Sequence, residues 1–169
     1  SHDIMMPNRG YDMTPTMYSP DGRIYQVEYA LETVKRGTLA VGIKSKDGVI
    51  IAVEEKSRAL QVSEVTQKIF QIDDHIGAAA AGYIPDARVQ VDNARYFSQS
   101  NKLTYDEPVE IETVAKHLAD QNHQFTQYSG VRPFGVALII AGVDRKGSNV
   151  FIIDPSGTFV SYAAVAIGL

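Results

Sequence analysis

The run Tyr18-Ser19-Pro20-Asp21-Gly22, followed at once by Arg23-Ile24-Tyr25-Gln26-Val27-Glu28-Tyr29-Ala30, most limits what this chain can fold into. Pro20 presets φ for a turn, Asp21 can bond its own backbone, and Gly22 accepts positive φ at no steric cost. Val27, Ala30, Leu31 and Val34 then recur at helical spacing, so the run predicts a helix over 27–36. Gly37 is expected to close that helix in a left-handed cap. Residues 1–17 are polar, contain Pro and Met, and have no periodicity. An arm, a rigid turn and a short amphipathic helix have no core of their own. They must lie against something else.

The rest of the chain supplies a core. At 169 residues it is one domain on size grounds. Residues 38–43 and 48–53 read as a strand pair joined by Ser45-Lys46-Asp47-Gly48. The second of these, Val49-Ile50-Ile51-Ala52-Val53, is apolar at every position and is expected to be buried on both faces. Residues 68–72 and 76–81 form a second pair around Asp73-Asp74-His75. A helix is predicted over 84–101, with Ala87, Val91, Ala94 and Phe97 on one side. Another is predicted over 108–128, where Ile111, Val114, Ala115, Leu118, Asn122 and Phe125 fall at steps of three and four. Asp106, Glu107 and Glu110 suit its N-terminus. Strands over 134–143, 149–154 and 159–167 complete the set, the last two separated by Pro155-Ser156-Gly157. Strands, two adjacent helices, then strands predict an α+β fold: two sheets with helices on an outer face.

Several function classes drop out. A net charge of −4 and scattered Lys and Arg give no footprint for nucleic acid or an anionic membrane. Without cysteine there is no disulfide and no thiol chemistry. No apolar run approaches the roughly 20 residues that span a bilayer. The N-terminus lacks the basic and apolar regions of a signal peptide, which favours a cytoplasmic location. His2, His75, His117 and His123 have no metal-ligand spacing, and Asp73-Asp74-His75 reads as a turn. No Gly-rich phosphate loop or Gly-x-Ser-x-Gly elbow occurs, and no cofactor is expected.

Tyr11-Asp12 and the unbroken run Tyr18 to Ala30 closely resemble the N-terminal signature of proteasome α subunits, most of all the archaeal type. The resemblance continues through Lys35-Arg36-Gly37-Thr38, Gln67 to Asp73, Asp86-Ala87-Arg88, Thr126-Gln127-Tyr128, Gly130 to Val136 and Asp154 to Thr158. It implies the four-layer αββα sandwich of the N-terminal nucleophile (Ntn) hydrolases. The family's C-terminal helix and strand part is missing from this sequence, which would leave apolar sheet surface uncovered. It also implies two regions: a gate arm over 1–17 and an α-type proteasome domain over 18–169.

The implied role is a non-catalytic subunit of the 20S core particle. Other α subunits would complete an outer heptameric ring. Proteasome β subunits would carry the threonine-type endopeptidase activity. ATPases or other activators would dock through their C-terminal tails for ATP-dependent protein degradation. Carried over position by position, the gate cluster is Tyr11, Asp12, Pro20 and Tyr29. The activator-docking set is Lys68, Glu28, Ile24 and Gly37. Met13 stands where the family has Arg and removes a fork of donors from the arm. The charged face of the short helix (Glu28, Glu32, Lys35, Arg36) would meet the neighbouring subunit. Helix 84–101 would face the β ring through Arg88, Asp92, Arg95 and Gln99.

The alternative is an autoprocessed N-terminal threonine hydrolase with Thr38 as nucleophile. That chemistry uses the free α-amine of the threonine as base, so the Gly37–Thr38 bond would have to be cut. By the family register, Lys68 aligns with a catalytic lysine, and the catalytic acid falls over Val53, Glu54 and Glu55. Against it, the upstream segment is the α signature with its own helix, not a disposable leader.

Overall fold

The structure is a computed structural model, and it describes residues 24–56, 60, 68–125 and 132–169. Helix α1 (Tyr25–Arg36) turns Val27, Ala30 and Val34 inward. Strands β1 (Ala40–Lys44) and β2 (Val49–Val53) form a hairpin, as do β3 (Ile69–Asp73) and β4 (Ile76–Gly82). Helices α2 (Ile84–Tyr105) and α3 (Ile111–Phe125) follow. Strands β5 (Val136–Asp144), β6 (Gly147–Ile153), β7 (Phe159–Ser161) and β8 (Ala164–Ile167) complete the described chain. The fold is α+β, as its order of elements predicts.

Two antiparallel sheets result, with strand orders β2-β1-β8 and β3-β4-β5-β6-β7. Their facing sides bury Ala40, Ala79, Ala81, Ile139, Ala141 and Val150 against Val49, Ile51, Val53 and Val165. Small residues let the sheets close up: a Cβ on Gly42 would stand 2.8 Å from Ile139 Cγ2. On the other side of the larger sheet, Ala78, Ala80, Leu138 and Ile140 pack with Val91, Ala94, Val114 and Leu118 of the two helices. The described residues therefore build three of the four layers expected, in the order sheet, sheet, helices.

The outer face of the small sheet explains one correction. Ile43 pairs with Ile50 across β1 and β2, and both are exposed, Ile50 by 69%. Strand β2 buries Val49, Ile51 and Val53 only in part and exposes Ile50 and Ala52, so it is not covered on both faces. An unbroken apolar strand says that two faces suit burial. It does not say that both coverings lie within the described chain.

The stretch 159–167 is likewise not one strand. Strand β7 pairs with β6, whereas β8 pairs with β1 in the other sheet. The crossing takes two residues: Tyr162 N–H donates to Val150 O, and Ala163 O accepts from Lys44 N–H. A period-two pattern survives such a change of partner, so the sequence shows no break.

Helix α2 runs four residues past the predicted end and stops at Asp106, whose φ is 52°. Helix α3 starts later than predicted, at Ile111, whose N–H donates to Asp144 Oδ2 at 2.9 Å. A carboxylate from the β5 end thus caps α3 from outside. Glu110 instead pairs with Arg145 and Lys146. Residues 126–128 of the predicted helix lie outside the described residues.

One ion pair fixes the start of α2 against the start of β5. Arg132 donates through Nη1 and Nη2 to the two oxygens of Asp86, each at 2.7 Å, and Gly135 N–H donates to Asp86 Oδ2. Burial pushes the Asp86 carboxyl upward, but the guanidinium and the Gly135 N–H together outweigh it and hold it below the usual carboxylate range. A carboxylate held low stabilises the fold fully above its unfolded pKa, and the gain fades as pH falls through the folded value. Asp86→Asn is therefore expected to lower stability by about 1–3 kcal/mol at neutral pH. The gap from the parent should shrink below about pH 4. Urea denaturation of both chains at several pH values checks this; a gap unchanged by acid would contradict it.

Candidate functional site

The sequence-predicted residues divide by position. Tyr11, Asp12 and Pro20 lie outside the described residues. Ile24 caps the start of α1 through its backbone, its carbonyl accepting from Val27 and Glu28 N–H. Glu28 and Tyr29 sit half-buried in the first turns, with the Tyr29 ring stacked on Tyr25 at 6.1 Å. Gly37 and Lys68 lie at the other end of the helix. At 1.5 Å per residue, about 20 Å separates Ile24 from Gly37 along the axis. The docking set is thus two groups at opposite ends of α1.

Gly37 is not in a left-handed cap. Its φ and ψ are −68° and 155°, extended backbone open to any residue. The glycine is needed for another reason: a Cβ there would stand 2.3 Å from Gly82 N. Helix α1 therefore ends pressed against the last residue of β4. Gly37 N–H donates to Val34 O, and Gly37 O accepts from Leu169 N–H at 2.7 Å. Thr33 Cγ2 would lie 3.3 Å from a Cβ on Gly135, so the same helix end also meets the entry to β5.

Lys68 enters this junction from the start of β3. It is only 6% exposed. Its Nζ donates to Thr38 Oγ1 at 2.5 Å and Thr38 O at 2.8 Å, with Glu54 O at 3.2 Å and Leu39 O at 3.3 Å. Its backbone N–H donates to Glu55 Oε1 at 2.8 Å. One buried ammonium thus ties the entry of β1, the exit of β2 and the entry of β3. Burial lowers the Lys68 pKa, and the charges of Glu55 and Glu54 pull it back in part. The family resemblance puts Thr38, Lys68 and the Glu54-Glu55 pair into one register, and in the structure Lys68 contacts all three. The sequence does not reveal the burial of Lys68, because a lysine at a strand start reads as solvated.

Elsewhere, polar groups have structural tasks. Asp73 ends β3, and Asp74-His75 make the turn into β4. Asp73 Oδ2 accepts from Ser98 Oγ at 2.5 Å, and His75 Nε2 donates to Val109 O at 2.7 Å. Among the described residues no group of three or more His, Cys, Asp or Glu is placed to hold a metal. His117 is half-buried rather than a surface histidine, stacked on Phe97 at 4.0 Å, and burial lowers its pKa. Among the described residues no helix is long and apolar enough to cross a membrane.

A model of the family described as "Proteasome subunit" matches residues 34–169, and a second, for the N-terminal signature of A-type proteasome subunits, matches residues 11–32. The chain belongs to the proteasome subunit family. Curated relatives named as proteasome alpha subunits agree with this assignment. Those of Methanosarcina barkeri and Methanosarcina thermophila are each 53% identical over 165 residues, 97% of this chain and 66% and 67% of the relative. That of Methanococcus maripaludis is 51% identical over 166 residues, 97% of this chain and 64% of the relative. The chain therefore spans about two thirds of the length of the relatives it matches. The A-type signature of the proteasome family ends at residue 32, within α1, and the rest of that helix leads into the Gly37–Thr38 junction.

Within this member of the proteasome family, Lys68→Met is expected to cost about 2–4 kcal/mol, since it leaves buried carbonyls of Thr38 and Glu54 without that donor. The urea midpoint should fall while far-UV circular dichroism stays that of the parent. An unchanged midpoint would show that the ammonium does not bind the junction together.

Proposed function

We propose that this chain is a non-catalytic α subunit of a 20S proteasome core in the cytoplasm. It forms an outer heptameric ring with other α subunits and stacks on proteasome β subunits. It gates substrate entry through its N-terminal arm and docks the C-terminal tails of ATPases or other activators. Its task is to control access for ATP-dependent protein degradation.

The surroundings of Thr38 carry this reading. A threonine nucleophile of this type needs its own nitrogen as a free amine. Here that nitrogen is the amide after Gly37, whose backbone is bonded to Val34 and Leu169 and wedged against Gly82. Residues 25–36 form α1, which buries Val27, Ala30 and Val34. A helix packed in this way supports a permanent element rather than a segment to be removed.

The division of the docking set supports a site shared between subunits. An extended tail of seven residues spans about 24 Å, enough to touch both groups. In a closed ring with heterologous contacts, one copy can present its Ile24–Glu28 end beside the Lys68 end of the next. On α2, Arg88, Asp92, Arg95 and Gln99 are exposed, and Val89, Tyr96 and Leu103 recur among them at steps of seven, Leu103 by 87%. An apolar row among charges supports helix-to-helix contact with β subunits.

Co-assembly with archaeal proteasome β subunits tests the gate. Deleting residues 1–15 is expected to raise basal hydrolysis of a fluorogenic peptide several-fold with the β content unchanged. No rise in assembled particles would contradict a gate in this arm.

A further inference from the structure

Strand β2 ends the small sheet, with β1 on one side and no strand of the described chain on the other. Ser45 N–H donates to Gly48 O, and Glu54 N–H donates to Leu39 O. These bonded pairs bracket the hairpin, whose register runs from Lys44↔Val49 to Ala40↔Val53. Bonded and non-bonded pairs alternate in an antiparallel ladder, so Ile50 and Ala52 are the β2 residues bonded to β1. The N–H and C=O groups of Val49, Ile51 and Val53 therefore point away from β1, and among the described residues nothing bonds to them. Folded proteins blunt such edges with charge, proline or a bulge. Val49–Val53 has neither charge nor proline, and its pairing is regular. The edge of β3 differs: there Gln71 O accepts from Arg95 Nε of α2 at 2.7 Å.

The free edge borders a groove of about 500 Å³ between β2 and β3. Val49 and Ile51 form one wall, and Ile69, Gly77 and Ala141 of the large sheet form the floor. Ile69 is 37% exposed there. A Cβ on Gly77 would stand 3.3 Å from Ile51 Cδ1, so the glycine keeps the floor low. Two acids, Asp73 and Asp74, and no Lys or Arg line the groove. Both acids lie beside the β3–β4 turn. Asp74 is exposed, and among the described residues its carboxylate has no partner.

A strand laid antiparallel along β2 would exchange hydrogen bonds with Val49, Ile51 and Val53. Residues opposite each other in such a pair share one side of the sheet. Each residue bonded to β2 would thus turn its side chain toward the apolar floor, and the strand's C-terminal end would pass Asp74. The β2 strand of a second copy does not fit, because it carries its own five-stranded sheet on the side where this chain's β3 already stands. We propose that this edge and groove bind an extended segment of a partner protein by strand addition. The segment runs antiparallel to β2, with branched aliphatic residues at alternate positions and Lys or Arg at its C-terminal end. This surface is separate from the gating and docking readings above.

The test uses the full chain, alone and co-assembled with archaeal proteasome β subunits. The probe is a fluorescein-labelled, C-terminally amidated peptide, Thr-Val-Thr-Val-Thr-Val-Thr-Lys, read by anisotropy. Methylating the valine nitrogens, which face β2, should weaken binding by about tenfold or more. Methylating the interior threonine nitrogens, which face solvent, should leave it within about threefold. Asp74→Lys should weaken the parent peptide by about threefold, and a peptide ending in Glu should recover that loss. No binding, or equal binding of the two methylated peptides, would overturn the proposal. If Asp74→Lys leaves both the Lys-ended and the Glu-ended peptide unchanged, the assigned direction is wrong and the proposal fails. Binding to the single chain but not to the assembled particle would mean that a neighbouring subunit fills the groove, which also overturns it.

Discussion

One buried cation holds the small sheet to the large one. Lys68 starts β3 in the five-stranded sheet, but its ammonium is bonded to Thr38, Leu39 and Glu54 at the ends of β1 and β2 in the three-stranded sheet. A charge buried this far is tolerated only with partners on every N–H, and backbone carbonyls supply them. The rest of the junction follows. With Thr38 fixed, Gly37 is fixed, and α1 is set against the end of β4. A Cβ on Gly37 would stand 2.3 Å from Gly82 N, so this close spacing of helix and sheet requires the glycine.

The same arrangement separates this site from a threonine protease that shares its register. Thr38 Oγ1 accepts from the Lys68 ammonium, and Glu55 Oε1 accepts from the Lys68 backbone N–H. The base is absent, because the Thr38 nitrogen is an amide in a segment bonded on both sides. What remains is a hydroxyl that accepts from a buried ammonium. The Asp86–Arg132 pair secures the other side of the helix end through Gly135, so the region is braced from two directions.

Much of this is legible in the sequence, unevenly. The steps of three and four from Ile111 to Asn122 announce α3, and all of its core positions are buried. The Tyr18 to Ala30 run identifies the family with little else. The exposed face of β2 is not legible, because hydrophobicity records what a strand suits and not what covers it. The division of 159–167 between sheets is invisible to a pattern whose period does not change. Gly37 reads as a cap, whereas close approach to Gly82 requires it; both uses of glycine look alike in one dimension. The burial of Lys68 departs furthest from expectation. Besides the Thr38 hydroxyl, its partners are carbonyls of distant residues, and backbone acceptors leave no trace in residue identities. Likewise the cap of α3 comes from Asp144, 33 residues downstream.

The central claim is that the peptide bond between Gly37 and Thr38 persists in the working particle. Intact mass spectrometry of this chain, before and after co-assembly with active β subunits, tests it most directly. An unchanged mass is predicted, with β subunits in the same sample showing their own processing. A species that begins at Thr38 would contradict the account, because it would free the amine that a threonine nucleophile uses as its base.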